Sequence, residues 1–262
     1  MSTNDSSLRN PGEVPSQYSL VQVLGIWLAA TLPMGILMWV VLQIMEPSTE
    51  PAFNLLRAGL LTGGLIWLFV LSMIIVYLEE GDLRLSTIRR RLWLNKPKDP
   101  VTGETRSKLW LWLIPLFVGA AVLAFGVGPL ISGLEPSKYS LDEFVGKPEV
   151  KAYIEGNWWV LGLFAALATF NTFLGEEFLF RGILLPKMNG VFGKWDWVAN
   201  GILFGLYHVH QPWGIPTSIV AGFLFAWPSR RFRSIWMGII THSWQSVFIV
   251  LLTLGLVLGL AD

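Results

Sequence analysis

The sequence contains no cysteine among its 262 residues. Disulfide bonds, thiolate metal sites and a cysteine nucleophile are therefore excluded. Charged residues are scarce, at 14% of the chain, and the formal net charge of +1 argues against a general attraction to nucleic acid. Two catalytic patterns are also missing: the H-E-x-x-H helix of soluble zinc proteases and the G-x-S-x-G turn of serine hydrolases.

What the chain has instead is apolar length. Hydrophobic residues make up 53% of it, with 14 tryptophans and 16 phenylalanines, which is typical of a polytopic membrane protein. Crossing about 30 Å of hydrocarbon takes roughly 20 residues. The runs that qualify are 18–45, 58–77, 109–134, 157–175, 197–227 and 234–261. Because "HQPWGIP" splits the fifth run, the sequence predicts an all-α bundle of seven transmembrane helices, or eight if the fourth run breaks near Gly182 or Pro186.

The polar and basic segments predict the organisation around these runs. Residues 1–17 lack the basic segment and apolar core of a cleaved signal, so they predict a short disordered tail. Residues 18–262 are then a single membrane domain, with a catalytic core at about 157–262. Eight Lys and Arg residues fall in 79–108, and segments 187–194 and 230–233 are also basic. The positive-inside rule places these three segments in the cytoplasm.

The stretch "FLGEEFLFRGILL" puts three charges inside an apolar run. Ionisable side chains at membrane depth are costly, so each of them needs a partner. Glu177 and Arg181 are four residues apart and can pair on one helix face, where their role can be purely structural. Glu176 has no such local partner. It aligns with Thr169 and Thr172 at helical spacing, which predicts a polar stripe facing the bundle interior.

Two of the three histidines follow a step of small residues. Gly201 and Gly205 allow another helix to approach closely. His208, three residues after Gly205, lies on the same face and is expected to be buried against that helix. His210 is expected to point elsewhere, as a packed or capping residue at a helix end.

The third histidine, His242, forms a polar stripe with Gln245 and Ser246 in an apolar helix. A rise of 1.5 Å per residue puts Glu176, His208 and His242 at roughly 17, 18 and 13 Å from the cytoplasmic ends of their segments. Three separate segments thus bring a carboxylate and two imidazoles to a similar depth. For the polar residues of the third segment, His242, Gln245 and Ser246, hydrogen bonding between helices is an alternative role.

A carboxylate with two imidazoles suits hydrolysis. The carboxylate can accept a proton from water with the help of one histidine, and the second can donate to the oxyanion. Alternatively, the same three side chains can hold a catalytic zinc ion with one position open for water. A non-catalytic membrane protein is the rival from another class, either a proton-coupled transporter or a pseudoprotease that only binds substrate. The absence of a repeated half argues against a transporter.

Three motifs carry a resemblance to a known family. "EEFLFR", "FGLYH" and "SIWMGIITH", in this order over about 70 residues, resemble the motifs of the CAAX-protease and bacteriocin-processing (CPBP) family of intramembrane proteases. The resemblance implies a helical fold whose core is the last four helices. It also implies that Glu176 activates water with the help of His208, that His242 stabilises the oxyanion, and that Glu177 and Arg181 support the site.

The resemblance further implies a membrane peptidase whose substrate is a membrane-associated peptide or protein, in some cases lipidated. Eukaryotic relatives remove the last three residues of prenylated CAAX proteins. The expected location here is a prokaryotic inner membrane. One departure concerns the third motif, where the family usually has Asn or Asp four residues after the histidine. This chain has Ser246 there, and Gln245 offers an amide one position earlier.

Overall fold

The computed structural model describes residues 16–47, 49–128 and 134–260. Within these ranges the chain is helical, and the extended pairing is limited to an isolated bridge between Lys98 and Thr105. The predicted tail at 1–17 falls almost entirely outside the described residues. At its end, the side-chain oxygen of Gln17 accepts a hydrogen bond from the backbone N–H of Gly190 at 3.1 Å.

The described residues form helices that we number α1 to α11. They are α1 Leu20–Ile44, α2 Glu50–Glu80, α3 Leu85–Arg91, α4 Ser107–Val127, α5 Leu141–Gly146, α6 Pro148–Ile154, α7 Trp158–Lys187, α8 Asn189–Phe192, α9 Asp196–Tyr207, α10 Ile215–Phe232 and α11 Ile235–Val257. Short 3₁₀ turns at Ser137–Tyr139, Gly193–Trp195 and Pro212–Gly214 lie between them.

Five of these helices, α1, α2, α4, α7 and α11, are long and apolar enough to cross a membrane, as judged on the described residues. The protein is therefore an all-helical, multi-pass integral membrane protein. The other two predicted membrane helices correspond to α9 and α10. Helix α9 has 12 residues, and a rise of about 18 Å is short of the roughly 30 Å of hydrocarbon.

Helices α9 and α10 form a tight antiparallel hairpin. A Cβ atom added at Gly205 would lie 2.6 Å from the backbone nitrogen of Ile219, and one added at Gly222 would lie 2.7 Å from the carbonyl oxygen of Gly201. Such contacts leave no space for a side chain, so glycine is required at these crossing points. The close approach predicted for the Gly201–Gly205 step is confirmed.

The three basic segments meet at one end of the bundle. The N–H of Lys98 donates to the carbonyl of Phe232 at 2.9 Å, and the N–H of Ile235 donates to that of Trp93 at 3.1 Å. The ammonium of Lys187 lies 2.9 Å from the Glu79 carboxylate. We call residues 79–108, 187–195 and 230–235 the basic end.

The other end of the bundle is built from Glu50, residues 134–156 and the turn at 208–214, and we call it the opposite end. Lys147 pairs with Glu50 at 2.5 Å. The ring of Tyr139 stacks on Trp213 with centroids 5.2 Å apart. The indole N–H of Trp213 in turn donates to Glu135 at 3.2 Å.

Helix α7 changes character along its length. At its start, Trp158 and Trp159 are exposed, as expected for side chains that face lipid. All residues from 177 to 185 are buried, and Phe178, Phe180 and Ile183 belong to the main apolar core. The middle of α7, which carries the two adjacent glutamates, therefore lies at the centre of the bundle.

Candidate active site

Glu176 sits between two π-helical segments of α7, Phe170–Gly175 and Phe178–Leu184. Single π turns inside helices are frequent at functional sites because they re-aim side chains. A Cβ atom at Gly175 would lie 2.4 Å from the Phe170 carbonyl oxygen and 2.8 Å from that of Leu65 on α2. This glycine therefore allows α7 to press against α2 just before the buried Glu176.

His208 is the first residue after α9 and lies against the first oxygen of Glu176. Its Nδ1 is 2.8 Å from the carbonyl oxygen of Phe204. Because a carbonyl only accepts, Nδ1 carries the proton and donates. The remaining ring nitrogen, Nε2, lies 4.0 Å from Oε1 of Glu176.

His242, on α11, approaches the second oxygen of Glu176. Its Nε2 lies 3.9 Å from Oε2 of Glu176, and its Nδ1 lies 3.1 Å from Oε1 of Glu177. The ring stacks on Phe225 of α10, with centroids 4.4 Å apart and planes inclined by 18°. The two predicted histidines therefore converge on Glu176 from separate elements, each with its ring orientation fixed.

Glu177 and Arg181 pair behind the site, as their spacing predicted. Nη1 of Arg181 lies 3.3 Å from Oε1 of Glu177, and both side chains are fully buried. The guanidinium packs 4.1 Å from the centroid of the Phe204 ring. A Cβ atom at Gly238 of α11 would lie 2.5 Å from Oε2 of Glu177, so this glycine makes room for the carboxylate.

A cavity of about 600 Å³ reaches Glu176, and its lining includes further polar side chains. The two histidines described above belong to this lining. The other polar side chains of the lining include His210, Gln245, Ser246, Asn171 and Glu135.

The prediction for His210 is wrong. The sequence predicts that its side chain points away from the site, but in the structure it lines the cavity. Its ring centroid is 5.3 Å from that of His208. Helical spacing does not apply to it, since α9 ends at Tyr207 and the chain then turns.

The polar stripe expected on α7 is also only partly correct. Thr169 is exposed and its hydroxyl donates to the Ala165 carbonyl at 2.8 Å, whereas Thr172 is buried. The π segment shifts the register so that Asn171, five residues before Glu176, lines the cavity. No motif indicated Asn171, and a π turn has no distinct signal in the sequence.

Zinc was one of the expectations for this site. The donor types fit, since a carboxylate and two imidazole Nε2 atoms face one another and both Nδ1 atoms are held by acceptors, as around bound metals. Ligands of tetrahedral zinc lie about 2.0–2.2 Å from the ion, so their donor atoms are roughly 3.3–3.5 Å apart. The separations of 4.0 and 3.9 Å are wider. Within the described residues no group of three His, Asp or Glu side chains is arranged to hold a metal ion.

Comparison with known proteins identifies a family for the segment that contains Glu176, His208 and His242. Residues 157–248 match the family model described as Type II CAAX prenyl endopeptidase Rce1-like. The predicted resemblance to the CPBP family is confirmed. The matched segment runs from the start of α7 into α11 and includes all three motifs, and the family is one of peptidases. No curated protein matches the chain, and no solved structure does.

Proposed function

We propose that the chain is an intramembrane endopeptidase that hydrolyses a peptide bond of a membrane-associated protein or peptide. The observation that carries the proposal is the position of Glu176, whose two oxygens lie 4.0 and 3.9 Å from the Nε2 atoms of His208 and His242. These separations are too long for direct hydrogen bonds. They are of the size that a bridging water spans.

In this proposal, Glu176 acts as the general base. A water molecule held between Glu176 and Nε2 of His208 gives a proton to the carboxylate while its oxygen attacks the peptide carbonyl carbon. The carbonyl π electrons move onto oxygen and form the oxyanion. When the C–N bond breaks, the protonated Glu176 returns the proton to the leaving amine, and the products are a carboxylic acid and an amine.

His242 is placed to stabilise the oxyanion. Its contact with Glu177 determines which protonated form of the ring can do so. Glu177 is paired with Arg181 and accepts the hydrogen bond from Nδ1 of His242. Only the doubly protonated ring then has an N–H at Nε2 to donate. We propose that this N–H donates to the oxyanion, while the contact with Glu177 fixes the orientation of the ring.

The replacement Glu176→Gln tests this function, because it keeps the shape of the side chain and removes the base. We expect kcat to fall by about 10²–10⁴-fold with the fold intact. The measurement is hydrolysis of fluorescence-quenched peptides, with and without a lipid anchor, by purified protein in liposomes. Glu149→Gln, at an exposed glutamate, is the matched control and is expected to keep full activity.

Undiminished hydrolysis by the Glu176→Gln protein would refute the proposal. Wild-type protein that binds these peptides without cleaving them would instead favour a pseudoprotease, an alternative to which Ser246 at the usual Asn or Asp position lends support. Proton-coupled uptake that depends on Glu176, without cleavage, would favour a transporter.

A zinc-dependent form of the reaction is the second candidate, and the orientation of the two rings favours it. Glu176, His208 and His242 would hold the ion, which would supply an activated water and polarise the substrate carbonyl.

Because the donor atoms are more widely spaced than zinc requires, we expect metal analysis of the purified protein to give much less than one zinc per chain. Activity should also survive dialysis against a chelator. One zinc per chain that is lost in the His242→Ala protein, together with activity, would establish the metal-dependent scheme instead.

Two finer features complete the proposal. We expect α9 and α10 to lie within the membrane as a hairpin, with α9 too short to cross it alone, which gives a bundle of seven helices. We expect the membrane to be the inner membrane of a prokaryotic cell. The substrate is expected to be membrane-anchored, because the cavity combines polar groups at Glu176 with apolar walls that include Leu61, Leu123 and Leu224.

A further inference from the structure

The cavity follows only one half of α10. The residues of this helix and of the turn before it that line the cavity share one helix face: Gly214, Thr217, Ser218, Ala221, Leu224 and Phe225. Further along the same face come Ser229 and Phe232, which are 0% and 1% exposed. Helix α10 runs from the opposite end to the basic end, so the cavity closes at Phe225 on the side of the basic end.

Helix α11, which runs back from the basic end to the opposite end, also lines the cavity only along the half nearer the opposite end. It begins at the basic end, where Ile235, Gly238 and Thr241 are buried. Its lining residues begin at His242 and continue toward the opposite end as far as Ile249. The cavity therefore extends from His242 away from the basic end.

Helix α7 confirms where the floor lies. This helix starts at the opposite end, and its lining residues are Leu167, Ala168, Asn171 and Glu176. Every residue from 177 to 185, between Glu176 and the basic end, is buried. Glu176 is thus the deepest group on α7, and packed side chains separate it from the basic end.

The cavity reaches the opposite end of the bundle. Glu135, Gln211 and Trp213 line it there. Among the described residues of the basic end, none contributes to the lining. The basic end includes eight Lys and Arg residues in 79–108 alone, so the positive-inside rule assigns it to the cytoplasm.

From these four observations we infer that the candidate active site opens to the non-cytoplasmic face of the membrane and is closed to the cytoplasm. The substrate class follows, and this step rests on the proposed peptidase function. It is a membrane-anchored peptide or protein whose scissile bond lies on the non-cytoplasmic side, rather than one with a cytoplasmic tail.

The natural absence of cysteine makes this access measurable without background. Single cysteines are introduced into the full chain on one face of α10: Ser218→Cys and Ala221→Cys in the cavity, and Ser229→Cys beyond its floor. Two further variants mark the exposed surface of each end, Val101→Cys at the basic end and Ala152→Cys at the opposite end. Labelling with a membrane-impermeant maleimide is compared in intact cells and in inside-out vesicles.

In intact cells we expect Ser218→Cys, Ala221→Cys and Ala152→Cys to be labelled, and Val101→Cys only in inside-out vesicles. Ser229→Cys should be labelled on neither side until the protein is denatured, because Ser229 is buried. Labelling of Ser218→Cys from the same side as Val101→Cys would overturn the inference. Labelling of both Ser218→Cys and Ala152→Cys in inside-out vesicles alone would also overturn it. The same holds if Ala152→Cys is labelled in cells while Ser218→Cys and Ala221→Cys stay unlabelled.

Labelling requires no cleavage, so this result stands apart from the test of the proposed function. The substrate class is tested separately by mapping new protein termini in cells that express wild-type or Glu176→Gln protein. We expect the Glu176-dependent termini to lie in non-cytoplasmic segments of membrane-anchored proteins. Termini confined to cytoplasmic tails would overturn the substrate class, and an identical set in both strains would count against the peptidase function itself.

Discussion

At the scale of single residues, the donors that complete an oxyanion site are the least conventional part of this protein. Ser246 stands where CPBP proteins usually have Asn or Asp, and it lines the cavity as a buried hydroxyl. Gln245 also lines the cavity, but it is exposed and therefore less well fixed. Asn171 brings a carboxamide to the same cavity from α7, next to Thr172, whose hydroxyl lies 3.4 Å from that of Ser243 on α11.

We predict that Asn171→Ala lowers kcat by about 10²-fold and leaves KM little changed, because an oxyanion donor acts mainly in the transition state. Ser246→Ala should have a smaller effect, since a hydroxyl reaches less far than an amide. Hydrolysis of quenched peptides under saturating and limiting substrate gives both constants. Thr169→Ala, at an exposed position of the same helix, is the control.

A rise in KM with kcat preserved would show that Asn171 only binds substrate. Equal activity of the wild-type and Asn171→Ala proteins, together with a large loss for Ser246→Ala, would assign the donor to α11 instead.

At the scale of the element, α7 concentrates the departures from regular structure. Its two π segments flank Glu176 and Glu177 directly. A π turn leaves backbone carbonyls without their usual helical partners. Arg91 on α3 donates to two carbonyls of the second π segment, those of Gly182 at 2.9 Å and Ile183 at 3.3 Å.

The helices themselves were predictable, because uncharged runs of about 20 residues have few alternatives to a membrane helix. The pairing of Glu177 with Arg181 was predictable too, since four-residue spacing joins side chains in an α-helix and the first turn of a π segment alters it little. Matched depths predicted that Glu176, His208 and His242 lie at one level, but not that the segments carrying them are neighbours.

The π segments were not predictable from spacing. They depend on how closely α7 meets α2 at Gly175, which is a property of tertiary packing. For this reason the sequence indicated Thr169 in place of Asn171. His210 was treated as a packed residue outside the site for a different reason, because the end of α9 at Tyr207 is also not visible in the spacing. Local periodicity defines the face of a regular helix, but it carries no information on where that helix is widened or ended.

At the scale of the whole molecule, the basic end does more than orient the chain in the membrane. The sequence assigned its arginine cluster to topology, and Arg90 fits that role with 67% of its side chain exposed. Arg91, its neighbour, is buried. Its guanidinium lies 2.6 Å from the Glu79 carboxylate and joins α3 to α2 and α7 beneath the floor of the cavity.

We therefore predict that Arg91→Met destabilises the bundle by about 2–3 kcal/mol, because it removes one of the two cations paired with Glu79 and leaves backbone carbonyls at the basic end without this side-chain donor. Arg90→Met removes only a surface pair with Glu80 and should change stability little. Thermal unfolding of both purified proteins in detergent, followed by tryptophan fluorescence, measures the difference. Equal unfolding temperatures for the two variants would mean that the closed end is held by apolar packing alone, with Arg91 contributing no more than a surface arginine.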